Sequence, residues 1–329
     1  MIPSLDHLRR AHAETSKAAR LTPLVDAPAL ARLSGAARVL VKAESLQWAG
    51  SFKARGAYWR LRQLSLAEAR RGVVAYSSGN FAQGLAASGE ALGIPVTIVM
   101  PIDAPKAKSD ATAAYGATVV LTDHGDRARE EVASARAKEI AAEQELTLLH
   151  PFDDPEIVAG QAGVGIEAVE QLGQQGAAAD IVLCPVGGGG LIGGVSLAFH
   201  YLSPTTRTIG VKPEGFDGVS ESLARGELVT APLGAKTICD GLMARRPGVF
   251  PFEALKATRI GMTTVDDAGV RAAMKVVADR LKLILEPSGA ATTAALLGGK
   301  VDVKGKTVVL IASGGNVALA DFMKHVGDA

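Results

Sequence analysis

Short apolar runs alternate with longer helical stretches from one end of this chain to the other. The runs read as strands at Val39–Lys42, Gly72–Tyr76, Pro95–Met100, Thr118–Leu121, Asp180–Pro185, Thr206–Val211 and Thr307–Ala312. Helical stretches fall between them at Phe81–Leu92, Ala107–Tyr115, Arg127–Ala142, Ile157–Leu172, Asp266–Leu281 and Ser288–Leu297. This order builds βαβ units, whose parallel sheets are covered by helices on both faces. The strands are continuous Val/Ile/Leu runs, as strands buried on both faces must be. The expected fold is α/β, with open, twisted, mostly parallel sheets. A length of 329 residues allows about two domains. With no linker, repeat or low-complexity tract, the second is expected as an insertion.

Charge excludes several functions. The net charge is +1, with no block of like charges, whereas nucleic acid requires a concentrated basic face. Cys184 and Cys239 are too few for a disulfide scaffold and lack metal-site spacing; Cys184 lies in an apolar run and reads as a small hydrophobe. No apolar stretch approaches the ~20 residues of a membrane span. The N-terminus, with Asp6, Arg9, Arg10 and Glu14, is not expected to be a secretory leader, which leaves a cytoplasmic location.

Four segments carry chemistry. The first is Gly50-Ser51-Phe52-Lys53-Ala54-Arg55-Gly56-Ala57, with Lys53 at the start of a helix. A lysine flanked by small residues and an aromatic is either a helix-face charge beside Arg55 or an amine activated by burial. Burial lowers its pKa from about 10.4 and makes it a nucleophile toward an aldehyde cofactor. The second is Pro185-Val186-Gly187-Gly188-Gly189-Gly190-Leu191, between a strand and a helix. Consecutive glycines let backbone N–H groups approach an anion, and the helix N-terminus adds its dipole, so a phosphate is the natural guest. Gly188, Gly190 and Gly193 also fit a dinucleotide pattern with Glu214 beyond, but that reading falls mid-chain and leaves Lys53 unexplained. The third is Tyr76-Ser77-Ser78-Gly79-Asn80-Phe81, whose polar groups at a helix N-terminus suit a carboxylate or serve as a cap. The fourth is Ile311-Ala312-Ser313-Gly314-Gly315-Asn316, where Ser313 either caps the final helix or faces a ring nitrogen.

Together these segments resemble the fold-type II pyridoxal phosphate (PLP) enzymes, most closely the threonine/serine dehydratase and serine racemase group. The resemblance runs from Leu21-Thr22-Pro23-Leu24 to Ser313-Gly314-Gly315-Asn316, and takes in His150-Pro151-Phe152-Asp153 and Ala159-Gly160-Gln161. It implies the tryptophan synthase β-like fold, with a large domain of residues 1–71 and 149–329 and a small inserted domain of residues 72–148 that closes on substrate. It implies that Lys53 holds PLP covalently, and that Gly187, Gly188, Gly189, Gly190 and Leu191 cradle its phosphate. Asn80 would meet the ring's 3′ oxygen, Phe52 would pack near the ring, Glu286 would lie close to the cofactor or serve as a charge cap, and Ser313 would face the pyridine nitrogen. The substrate would sit on Ser77, Ser78, Gly79, Asn80 and Phe81, with Arg129 nearby or simply solvated.

The implied reaction is dehydration of a 3-hydroxy amino acid of the L-threonine or L-serine type to a 2-oxo acid and ammonia, with Lys53 moving protons. Ser78 also stands where the racemase group has its second acid/base, which keeps racemisation open as an alternative; 3-hydroxyaspartate dehydration and, more distantly, NAD-dependent oxidoreduction are others. Many relatives have His at the position of Phe81, and Trp48 replaces a smaller or basic residue, so it either lines the substrate pocket or packs. The racemase group's cation ligands fall at Lys212 and Gly218, so no metal is expected unless Glu214 or Asp217 shifts into place. A homodimer is expected from the resemblance, and no C-terminal regulatory domain is expected after Ser313.

Overall fold

The computed structural model describes residues 2–327, except Pro105, Asp126, Ala128 and the side chains of Arg129 and Glu130. The first part of the chain forms α1 (Leu5–Thr15), β1 (Leu24–Asp26), α2 (Pro28–Ser34), β2 (Arg38–Ala43), α3 (Lys53–Arg62) and α4 (Leu66–Arg71). Next come β3 (Val73–Tyr76), α5 (Asn80–Leu92), β4 (Val96–Pro101), α6 (Lys106–Ala114), β5 (Thr118–Thr122), α7 (Arg129–Glu143) and β6 (Thr147–Leu149). The chain continues with α8 (Pro155–Gln174), β7 (Ile181–Pro185), α9 (Gly190–Leu202), β8 (Arg207–Pro213), α10 (Gly218–Arg225) and α11 (Val249–Thr258). It ends with β9 (Gly261–Val265), α12 (Asp267–Leu281), α13 (Pro287–Leu297), β10 (Thr307–Ala312) and α14 (Leu319–Gly327).

The strands form two sheets, as the alternation predicts. One has the order β1-β2-β10-β7-β8-β9 and the other β5-β4-β3-β6. All neighbours are parallel except β1, which pairs antiparallel with β2. Alternate residues of each strand feed cores on opposite faces. Val39, Val41, Leu183 and Leu310 join one core of the larger sheet, while Leu40, Val182, Cys184 and Ile311 join the other. In the smaller sheet Val73 and Ala75 pack with α5, and Val74 packs with α7.

Three strands escape the sequence pattern. β1 and β6 have three residues each, too short for a period to show. β9, Gly-Met-Thr-Thr-Val, is a half-buried edge strand without a continuous apolar run. The final helix begins at Leu319, so Ser313 does not cap it.

Small residues let α3 sit deep between its neighbours. A Cβ on Gly160 of α8 would lie 2.7 Å from Gly56 Cα, and one on Gly84 of α5 would lie 2.9 Å from the backbone N of Ala54. An ion network fixes α3 further. Arg55, 0% exposed, donates to Glu44 Oε2 at 2.8 Å and to Glu167 Oε1 at 2.6 Å. Lys42 Nζ donates to the other Glu167 oxygen at 2.6 Å. With their partners in place the charges are satisfied despite burial.

Candidate active site

The four motif segments meet at the carboxyl ends of strands, where open α/β sheets leave a crevice. Lys53 follows the loop after β2, Ser77–Asn80 follow β3, the glycine run follows β7 and Ser313 follows β10. His150–Asp153 follow β6 in the same way.

The β10 loop delivers Lys53 to the site. Ser51 bridges to Gly314, and the Phe52 N–H donates to the Ser313 carbonyl at 3.1 Å. Lys53 Nζ then donates to the Pro151 carbonyl at 2.7 Å. It lies 5.3 Å from the Phe52 ring centre and 5.4 Å from that of Phe81. Burial pushes this amine down to about 8. At neutral pH a usable fraction is therefore the free, nucleophilic base. Phe81, expected among the substrate contacts, follows Asn80 in the first turn of α5. It is buried with Ala57, Leu61 and Leu85 and turns a ring face toward Lys53.

The glycine run turns β7 into α9. Gly189 has φ +101°, a left-handed conformation open to glycine, and caps the N-terminus of α9. A Cβ on Gly188 would lie 2.2 Å from the Phe152 ring. Phe152 thus packs on the glycine loop while its neighbour Pro151 holds Lys53. Among the described residues nothing accepts a hydrogen bond from the N–H groups of Gly187, Gly188 and Gly189. Three unpaired donors beside a helix N-terminus fit an anion. The Leu191 side chain, 5% exposed, packs in the core, which leaves its backbone at the loop.

A polar chain closes the third side. Asn80 Nδ2 donates to Glu286 Oε1 at 2.6 Å, and Asn316 Nδ2 donates to Asn80 Oδ1 at 2.9 Å. Burial pushes Glu286 up to about 8, helped by the nearby Asp240 carboxylate and opposed by Lys108. Glu286 occupies the N-cap position of α13 but makes no side-chain cap bond. Gly79 caps α5 without a side chain, and Ser77 Oγ accepts from the Gly79 N–H at 3.2 Å. The hydroxyls of Ser78 and Ser313 make no hydrogen bond to other described residues. Capping therefore does not account for this cluster. Arg129 opens α7, and its side chain lies outside the described residues.

Sequence reasoning missed two features. The Pro151 carbonyl that holds Lys53 is a backbone group and leaves no residue-type signal. The other is a pair behind it: His150 Nδ1 accepts from the Asp153 N–H at 2.8 Å, which leaves Nε2 facing the Tyr76 hydroxyl at 3.2 Å. Burial lowers the pKa of His150, so the neutral ring is held in one tautomer. Trp48 lines an open cleft of about 530 Å³ with Ala49, Gly50, Tyr115 and Asn316, which adjoins the site through Asn316.

Where cation ligands were sought, Lys212 Nζ lies among backbone carbonyls of Val186, Gly187, Leu242 and Ala244. At Gly218 a Cβ would fall 1.9 Å from the Arg245 carbonyl, so no acidic side chain fits there. Among the described residues no group of three or more His, Cys, Asp and Glu side chains could hold a metal. Nor is any described helix long and apolar enough to cross a membrane.

A desolvated lysine and a glycine loop with three unpaired N–H donors, both at the strand ends of an α/β fold, fit a phosphorylated aldehyde. Residues 15–314 match the model of the pyridoxal-phosphate dependent enzyme family. The chain belongs to this family and is a PLP-dependent enzyme. It is 38% identical over 315 residues to an L-threonine ammonia-lyase of Thermotoga maritima, covering 95% of this chain and 76% of that one. It is 39% identical over 291 residues to a catabolic L-threonine dehydratase of Escherichia coli, covering 88% and 86%. The solved structure of maize serine racemase superposes with a TM-score of 0.90 at 30% identity, over 100% of this chain and 98% of that one.

Proposed function

We propose that this enzyme removes water from a 3-hydroxy amino acid of the L-threonine or L-serine type, giving a 2-oxo acid and ammonia. The observation that carries the reading is Lys53, a buried amine with a pKa of about 8 held between two aromatic rings. Relatives named L-threonine ammonia-lyase and L-threonine dehydratase support the choice of substrate.

PLP, when bound, supplies the electron sink that makes the substrate's Cα proton removable. Lys53 would hold it, the N–H groups from Gly187 to Leu191 its phosphate, Asn80 its ring oxygen and Ser313 its ring nitrogen. Phe52 would flank the ring, and Glu286 would act through Asn80. Ser313 would bring a neutral hydroxyl to the ring nitrogen, which would leave the cofactor a weaker electron sink and favour prompt loss of the β-substituent. Ser77, Ser78, Gly79 and Asn80 offer donors to the substrate carboxylate. Lys53 Nζ, freed when the substrate amine takes its place, would take the Cα proton and return a proton to the departing β-hydroxyl, so that water leaves at Cβ. Water taken up at Cα then leaves the 2-oxo acid and ammonia.

Residues 72–148 form, in this reading, a small domain that closes on substrate against residues 1–71 and 149–329. The ion pair between Lys108 of α6 and Asp240 supports such closure, since it joins residues 72–148 to residues 149–329. The reading also takes the enzyme as a cytoplasmic homodimer, which sedimentation and fractionation test.

Ser78 favours a second activity, racemisation, because its free hydroxyl supplies the second proton carrier that inversion needs. A panel of 3-hydroxy amino acids, both stereoisomers of each, separates the two when assayed for ammonia and for the opposite enantiomer. Ammonia from L-threonine or L-serine is the expected result. Enantiomer conversion without ammonia would reverse the order of the two readings.

A further inference from the structure

A buried ammonium stands behind the glycine loop. Lys212 of β8 is 0% exposed, and its Nζ lies 3.1 Å from the Val186 oxygen and 3.2 Å from that of Gly187. It also lies 3.0 Å from the carbonyl oxygens of Leu242 and Ala244. No acidic side chain among the described residues forms an ion pair with it; Asp217 acts only at longer range. Burial pushes this amine down to about 7. The surrounding oxygens pull the other way, because a neutral amine has two hydrogens and would aim its lone pair at an acceptor. If filling space were the requirement, a methionine would do so without the desolvation penalty of an ammonium.

The geometry of the peptide gives the charge a task. The described peptides are trans, so each C=O points opposite to the N–H that follows it. Fixing the Val186 carbonyl therefore fixes the Gly187 N–H on the far side from Lys212, and fixing the Gly187 carbonyl does the same for the Gly188 N–H. Both donors are among those that pair with nothing in the described protein. An ammonium on the carbonyl side also polarises each peptide and strengthens its N–H as a donor. The same Nζ ties the loop to the 242–244 turn, so the loop cannot rotate these peptides without breaking that tie.

We propose that Lys212 is a positioning residue for the cofactor phosphate, aiming and polarising the Gly187 and Gly188 N–H groups through their peptide planes. The proposal rests on the reading that the glycine loop holds the phosphate of PLP.

Cofactor-stripped full-length enzyme, titrated with PLP and with pyridoxal, which has the aldehyde but no phosphate, tests it. The parent should prefer PLP. Lys212→Met should lose about tenfold or more in PLP affinity, the scale of a charge-assisted hydrogen bond, with pyridoxal affinity little changed. Equal losses for both ligands, or none for PLP, would overturn the proposal. A parent that does not distinguish the two ligands would overturn the phosphate reading and this proposal with it. Should Lys212→Met fail to fold, Lys212→Ala with added potassium decides, since the vacated carbonyls suit a small cation. Potassium should restore the preference for PLP where tetramethylammonium, too large for the site, does not. A folded Lys212→Ala protein unaffected by potassium would also overturn it.

Discussion

The side-chain amide of Asn80 donates to Glu286 Oε1 at 2.6 Å, joining the helix after β3 to the one before β10. The Glu286 carboxyl that accepts this bond is 3% exposed and titrates near 8, against an ordinary value of 4.5. A folded-state pKa above the unfolded one means that the folded protein keeps a proton the unfolded chain releases. The stability it contributes is full below 4.5, falls as pH rises through the window to about 8, and is lost above. Glu286→Gln removes this dependence. In cofactor-free protein the variant should gain on the parent by on the order of 1 kcal/mol per pH unit within the window. Urea unfolding at pH 5, 6.5 and 8 measures it, and a difference that does not change with pH would refute the assignment.

Lys53 makes a kinetic prediction of opposite sign. Its reactive form is the free base, and burial alone sets its pKa near 8. The rate at which cofactor-free enzyme takes up PLP should rise with pH up to about 8 and level off above it. Lys53→Ala should lose the visible absorbance of the attached cofactor, and turnover should drop by at least ~10³-fold. Retained turnover would remove Lys53 from the mechanism.

Arg55 sits two positions beyond Lys53, between Glu44 and Glu167. Arg55→Met leaves two buried carboxylates short of their partner. We expect a loss of about 3–5 kcal/mol in urea unfolding at pH 7, the range for breaking one side of a buried ion pair. A loss below about 1 kcal/mol, typical of an exposed pair, would show that water reaches the network.

Removing divalent cations should leave the enzyme unchanged. Lys212 places an ammonium where a cation would need acidic ligands, and Gly218 has no room for one. Activity measured after extensive dialysis against a chelator should match that of untreated enzyme. A drop restored by magnesium or calcium would place a cation elsewhere in the chain.

Much of this was legible because the chemistry sits on local motifs. Lys53, the glycine run and Ser77–Asn80 are contiguous segments at strand ends, where residue type and position speak together. The parts that were not legible depend on distant pairs. Arg55 meets Glu167 across 112 residues and Lys42 meets it across 125, and nothing local marks either pair. The burial of Phe81 was not legible either, because its position in the motif says nothing of which way the ring turns; packing with α3 draws it inward. Lys212 was legible as a charge in an unusual place, but its partners are carbonyls, which every residue carries.

The smaller sheet has its middle strand β3 paired directly with its last strand β6, Val73 opposite Thr147. Because the two strands run parallel, the backbone enters the sheet at Val73 and leaves it after Leu149, beside Ala75, so entry and exit lie roughly 8 Å apart on neighbouring strands. On the proposed division of the chain, a body tethered at two such points would pivot about one short axis, as a flap does on a single hinge pin. For the same reason the segment could be excised and the gap bridged by a few residues, leaving the glycine loop and Lys53 on the remaining framework.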